Sequence, residues 1–174
     1  ETETCPDCLT LLAEAAALYH DDFLAGFTLR DSPGFDDWQF FQAESLRREL
    51  AGALERLVRG YYAMGEYEPA VDCARRWLHL DRLHEEAHRQ LMQLYARSDQ
   101  RPAALRQYRE CVRILDEELG VAPSEETSAL FERIQSGEIG RGAEKPFSSA
   151  QDRQERGGEI SPPAPLPLHS PAPQ

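Results

Sequence analysis

The chain has no apolar run approaching the roughly 18 residues that a membrane-spanning helix needs, and it opens on polar residues with neither an initiator Met nor a basic start followed by an apolar block. Nothing in the sequence reads as a transmembrane segment or signal peptide, and the chain is expected to begin inside a longer protein that acts in the cytoplasm. Positive charge is short as well. The formal net charge is −12. Nucleic-acid affinity rests largely on Lys and Arg neutralising phosphates, so an acidic body of this kind is not expected to grip DNA by itself. The imbalance sits in the first 136 residues. From Gly137 onward Arg141, Lys145, Arg153 and Arg156 nearly balance Glu138, Glu144, Asp152, Glu155 and Glu159. A phosphate-binding GxxxxGK[ST] loop is missing too, which removes one route to nucleotide hydrolysis.

Cysteine is sparse: Cys5, Cys8, Cys73 and Cys111. Cys5-Pro6-Asp7-Cys8 is a lone CxxC. A structural zinc site takes four ligands, commonly from two such pairs, and there is no second pair. The two are read as reduced thiols, with metal or redox sensing as the weaker alternative. Cys73 and Cys111 fall on apolar faces, where a free Cys behaves as a small hydrophobe. Histidine makes no metal pattern. His84 and His88, four apart, are half a site at most and are expected to be a surface pair. No metal and no cofactor are expected. The acidic pairs Asp21-Asp22 and Asp36-Asp37 are more simply solvated or dipole-favoured charges than a general acid–base couple. The chain is therefore not expected to be an enzyme.

What the sequence does have is helical periodicity over a 41% hydrophobic composition. A helix is expected from about Asp7 to His20, with Leu11, Leu12, Ala15, Leu18 and Tyr19 apolar. The turn Asp21–Phe27 carries three large apolar groups expected to plug one end of the core, and Gly26 can supply a positive φ there. Ser32-Pro33 starts a long helix to about Met64. Its stripe is Leu46, Leu50, Leu54, Leu57 and Tyr61, and Gly65 stops it. Further helices are expected from Glu68-Pro69 to Leu80, from Glu85 to Arg97, and from Pro102 to Leu119, the last with Leu105, Tyr108, Val112, Leu115 and Leu119 as its apolar side and Gly120 as the stop. A short one follows Pro123-Ser124, with Leu130, Phe131 and Ile134. Beyond Gly137 prolines crowd the end, and residues 137–174 are expected to be a linker or disordered tail.

Gly65 to Asp99, Ala70 to Ala104 and Tyr61 to Tyr95 are each 34 residues apart, the period of tetratricopeptide repeats. The fold class expected is all-α, a tetratricopeptide-like helical-repeat array (a right-handed α-solenoid) over residues 1–136. Asp99 stands where a glycine belongs, and Arg82 where a proline often closes a unit. Trp77 falls on the packing face with Ala70 and Ala74. Trp38 is a candidate partner contact, since Trp is enriched in interface hot spots. Arg47-Arg48 and Arg75-Arg76 are read as solvated helix faces. Arg97, Arg101, Arg106 and Arg109 come closer to a patch.

The segments DDFLAGF (21–27), GEYEPAVDCARRWLHLDRLHEEAHR (65–89), LMQLYARSDQRPAALRQYRECVRIL (91–115) and above all EELGVAPSEET (117–127) resemble the bacterial transcriptional activator domain of SARP-type regulators. The resemblance covers about residues 7–136. It implies a tetratricopeptide-like fold and a parent chain with a winged-helix DNA-binding domain just upstream. It also implies, for some relatives, an ATPase domain downstream. The function expected is a protein-interaction and regulatory module that positions the absent DNA-binding domain and contacts a partner: a second copy, the transcription machinery or other parts of the parent. The alternative is a generic tetratricopeptide scaffold outside transcription. Stacked helix pairs curve one way, so the first helix of each pair is expected to line a concave groove. Arg59, Tyr62, Arg89, Gln93 and Arg97 are the expected partner-binding residues there.

Overall fold

The computed structural model describes residues 5–140, and within them the fold is entirely helical. The order is α1 (Pro6–Ala17), α2 (Pro33–Met64), α3 (Tyr67–Leu80), α4 (Glu85–Arg97), α5 (Arg101–Leu119) and α6 (Glu125–Ser136). Prolines at the first turns of α1, α2 and α5 occupy positions whose N–H groups have no helical acceptor. Helices α2, α5 and α6 end on Gly65, Gly120 and Gly137, each in the left-handed conformation. No helix among the described residues is long and apolar enough to cross a membrane.

The 34-residue period has a backbone counterpart. At the end of α2 the Glu66 N–H donates to Tyr61 O at 2.9 Å. Thirty-four residues on, at the end of α4, the Gln100 N–H donates to Tyr95 O at 2.7 Å. Gly65 sits at φ 77° and Asp99 at φ 59°, so Asp99 takes up the glycine's left-handed turn in spite of its Cβ. Asp is among the few residues that tolerate it. Ala70 and Ala104, the small residues at the equivalent helix starts, are both fully buried and let α3 and α5 lie close against α2 and α4.

Successive helices pack as antiparallel pairs, α2 with α3 and α4 with α5, while α6 closes against α5 and α4. The first helices also touch one another, α2 with α4 and α4 with α6. Two buried clusters result. One joins Leu50, Leu54, Leu57 and Trp77 to Leu9 and Ala16 of α1. The other joins Leu91, Met92, Leu94 and Ala104 to Leu130 and Ile134 of α6. Each large side chain buried in them contributes about 1.5–3 kcal/mol of transfer free energy.

Three local expectations are corrected. In α1 the packed stripe is Leu9 and Ala16, buried, with Leu12 and Ala13 partly buried beside them and Tyr19 following just past the helix. Leu11 and Leu18 belong to a second, equally periodic stripe that faces solvent, and the helix ends at Ala17 instead of His20. In α5 the buried line is Ala104, Cys111, Ile114 and Leu115, with Leu119 exposed. The turn at Asp21–Phe27 does not plug the buried core, because Leu24 and Phe27 stay exposed. Its left-handed positions are Leu24 as well as the expected Gly26. At the other end, packing continues past residue 136: Ile139 lies against the second cluster. The expected tail from residue 141 onward lies outside the described residues.

Candidate functional site

Two surfaces are candidates for interaction. The first is aromatic. Gln39 Nε2 donates to Leu24 O at 2.9 Å, holding the Asp21–Phe27 turn against the start of α2. Phe23 meets Trp38 edge-on at 5.6 Å between ring centroids, Phe35 lies 5.6 Å from both Trp38 and Phe27, and Phe40 and Phe41 pair at 5.7 Å. These distances are within the range in which aromatic pairs stabilise each other. Yet the rings are open to solvent: Trp38 is 46%, Phe40 61% and Phe41 66% exposed. Phe23, Phe27, Phe35 and Trp38 form one set of ring contacts and Phe40 with Phe41 another, and exposed large rings grouped in this way make this end of α2 a candidate interaction surface.

The second is the row of first helices, α2, α4 and α6. Arg59 projects from α2 and pairs with Glu55 one turn back. Tyr62 is half-buried against Tyr67, 6.0 Å between centroids. Gln93 is half-buried and Arg97 exposed on α4. Arg89 differs from its four companions. Its side chain is only 19% exposed and is ion-paired to Glu86, with Glu126 at 3.4 Å and Glu85 at 3.9 Å. It also donates to Thr127 Oγ1 at 3.2 Å and Ser124 Oγ at 3.4 Å. It ties α4 to α6, so its donors are largely taken by its own chain.

The same junction explains the most specific stretch of the sequence. Ser124 caps α6 by accepting from the Thr127 N–H, while its own N–H and hydroxyl both donate to Glu85 Oε1, at 2.7 and 2.5 Å. Burial alone would raise the Glu85 carboxyl. The hydrogen bonds from Ser124 and Thr127 and the charge of Arg89 outweigh it and hold the group below the ordinary carboxylate range. The 117–127 segment is thus a hook that fastens the last helix to α4.

Other singled-out residues fall into place. His88 is not a surface residue: it is 2% exposed. Gln107 Nε2 lies 2.7 Å from its Nδ1, and its Nε2 lies 2.9 Å from Arg82 O. The amide as donor and the carbonyl as acceptor fix the neutral ring with its proton on Nε2. Burial lowers the His88 pKa, in keeping with that form. No group of three or more His, Cys, Asp or Glu side chains converges on a point among the described residues. Cys5 and Cys8 are exposed at the start of α1, where the backbone N–H of Cys8 draws the Cys5 thiol down. Cys111 is buried and pushed up to about 11.

Of the two arginine pairs read as solvated faces, Arg48 stays exposed and bonds only within α2, while Arg47, Arg75 and Arg76 also reach other elements. Arg47 holds Asp22 of the preceding turn, with Nε to Oδ1 at 2.8 Å, and also Glu44. The Arg47 contact lowers Asp22 below its usual range despite the opposing effect of burial. Arg75 donates to the Tyr95 hydroxyl at 2.9 Å. Arg76 donates to Ala16 O at 3.0 Å, at the end of α1. Sequence spacing places these residues on exposed faces, but only the fold reveals what lies opposite them.

No curated protein matches the chain. The family model of the bacterial transcriptional activator domain matches residues 2–135, most of the chain and all six helices but the last residue of α6. With its all-helical 34-residue repeat and hooked last helix, this chain belongs to the bacterial transcriptional activator domain family.

Proposed function

We propose that the chain is the interaction module of a bacterial transcriptional regulator, a cytoplasmic binding protein and not an enzyme. In this reading it holds a winged-helix DNA-binding domain of the parent protein against the aromatic face and presents the α2–α4–α6 side to a protein partner. The observation that carries the first part is the cluster of Trp38, Phe40 and Phe41, large rings left in water by a domain that buries its other Trp. Covering them removes apolar area at about 25 cal/mol per Å², and aromatic residues dominate interface hot spots. The charge supports the division of labour. A chain at −12 gains little from counterion release and leaves the phosphates to a separate domain.

For the partner surface, Arg59, Tyr62, Gln93 and Arg97 offer long donors and one ring, suited to an acidic or extended segment of a second copy or of the transcription machinery. Arg89 serves that surface indirectly, by fixing α6 beside α4.

The test uses the intact regulator carrying Trp38→Ala with Phe41→Ala. Both residues are exposed and outside the two buried clusters, so the helical core should persist, with only local ring contacts to Phe23, Phe35 and Phe40 lost, while activation falls. Unchanged activation, with normal protein levels, would remove the aromatic face from the mechanism. Arg97→Glu examines the second surface separately: it should weaken partner capture without changing the melting of the module.

A further inference from the structure

A cleft of about 570 Å³ opens between the end of α1, the middle of α2 and the outer side of α3. That is within the few hundred to about 1,000 Å³ typical of small-molecule sites. Its floor is apolar, from Leu50, Leu54 and Leu80. Its rim carries the cations Arg47, Arg75 and Arg76 together with His79, on a chain that is strongly acidic elsewhere.

The charges on that rim are unequally compensated. Arg47 is neutralised by Asp22 and Glu44. Arg76 has no carboxylate within ion-pair distance among the described residues. Its hydrogen bonds go to the carbonyls of Ala16 and Tyr19 from a single nitrogen, Nη2, leaving Nε and Nη1 without protein acceptors. Arg75 spends Nε and Nη2 on the neutral Tyr95 hydroxyl, and its one ion pair, to Asp72, is loose at 3.6 Å between two exposed side chains. Arg75 and Arg76 both line the cleft one turn before His79, with the Arg76 head group on the α1 side and that of Arg75 drawn toward Tyr95 of α4 by contacts that leave its charge unneutralised. Asp21 is the opposing charge on the rim, and its Oδ1 accepts from the Asp22 N–H at 2.8 Å.

We propose that this cleft binds a small organic anion, with a phosphate or carboxylate held by Arg75, Arg76 and His79 and an apolar body lying on Leu50 and Leu80. Guanidinium groups match the geometry of such oxyanions. The site is distinct from both surfaces proposed above. It is nevertheless joined to the aromatic one, because the wall Tyr19–Asp22 runs directly into Phe23. An anion drawing on Arg76 bears on the bond that anchors the end of α1, so occupancy is a route from a metabolite to the face that holds the neighbouring domain.

Phenyl phosphate is the probe, titrated into the full 174-residue chain by calorimetry and by amide chemical shifts, with phenol and inorganic phosphate as the two halves. Phenyl phosphate should bind at least about tenfold tighter than either half, since charge and apolar contact act together. Arg75→Gln with His79→Gln should weaken it by about tenfold or more. His79→Glu, a change at an exposed position, should do the same with an unaltered melt. Arg48→Gln, outside the cleft, should leave affinity alone. The proposal is overturned if phenyl phosphate shows no saturable binding below about 10 mM. It is equally overturned if the His79→Glu chain binds as well as the parent, or if the shifts map away from residues 19–22 and 75–80.

Discussion

Trp77 is the largest fully buried side chain, 2% exposed, and lies between α2 and the loop leading to α4. Truncation to Ala leaves a cavity in a cluster whose neighbours Leu54 and Leu57 are fixed within a 32-residue helix. The expected cost is about 3–5 kcal/mol, the range for a buried aromatic cut to Ala. Trp77→Phe is the sharper experiment. The void left is roughly 40 Å³, which at about 24 cal/mol per Å³ costs about 1 kcal/mol. Against this stands the indole N–H. No acceptor reaches Nε1 among the described residues, and the nearest ring, His84, lies 4.7 Å away between centroids with its own Nδ1 also unpaired. Deleting a buried, unpaired donor recovers about 1–3 kcal/mol. Trp77→Phe should therefore fall within about 1 kcal/mol of the parent in urea melts, while Trp77→Ala should lose at least three times as much. A Phe chain destabilised by more than about 2 kcal/mol would mean that the indole N–H is satisfied. An Ala chain destabilised by less than about 1 kcal/mol would place Trp77 outside the core and break the repeat register.

Three further outcomes are expected. Asp99→Gly should stabilise the chain by about 0.5–1 kcal/mol in a denaturant melt, because the position holds φ 59° and glycine enters that region without strain; a loss would show that the Asp side chain does more than tolerate the turn. Arg89→Leu should cost about 2 kcal/mol, since it leaves Glu85 and Glu86 without their cation and α6 without two donors, and proteolysis should then begin at α6; an unchanged melt would return Arg89 to the partner surface. For His88 the folded pKa is lowered from its ordinary 6.5 by burial, so the unfolded chain takes up the proton first. Its contribution is intact above about pH 6.5 and is lost as pH falls from there toward the folded value. Melts of the parent against His88→Gln between pH 7.5 and 5 check this, and a parallel pH dependence in both chains would contradict it.

The helices and the repeat are legible because their signals are local: proline at first turns, glycine after last turns, and apolar residues recurring at helical spacing. The 34-residue period even located Asp99 as the odd residue in a glycine's place, and the backbone shows it making the glycine's turn. Legibility failed where two answers satisfy the same local rule. Helix α1 carries two apolar stripes, and only the position of α2 decides that Leu9 and Ala16 are covered while Leu11 and Leu18 are not. The aromatics near Trp38 look like core by composition, because a sequence does not say which large rings lack a covering element. Arg47 and Arg76 look solvated until the fold supplies Asp22 and Ala16, 25 and 60 residues away in sequence, and Arg89 reads as a groove residue until Thr127, 38 residues away, comes within reach of it. His88 was hidden for the same reason, its partner Gln107 being on the next helix.

The proposal that the aromatic face holds a neighbouring DNA-binding domain is tested most directly by hydrogen exchange, comparing this chain with the intact regulator. Residues 23–27 and the first turns of α2 should exchange at least about tenfold more slowly in the intact protein, while α5 should be unchanged. Equal exchange at those residues in both proteins would contradict the account.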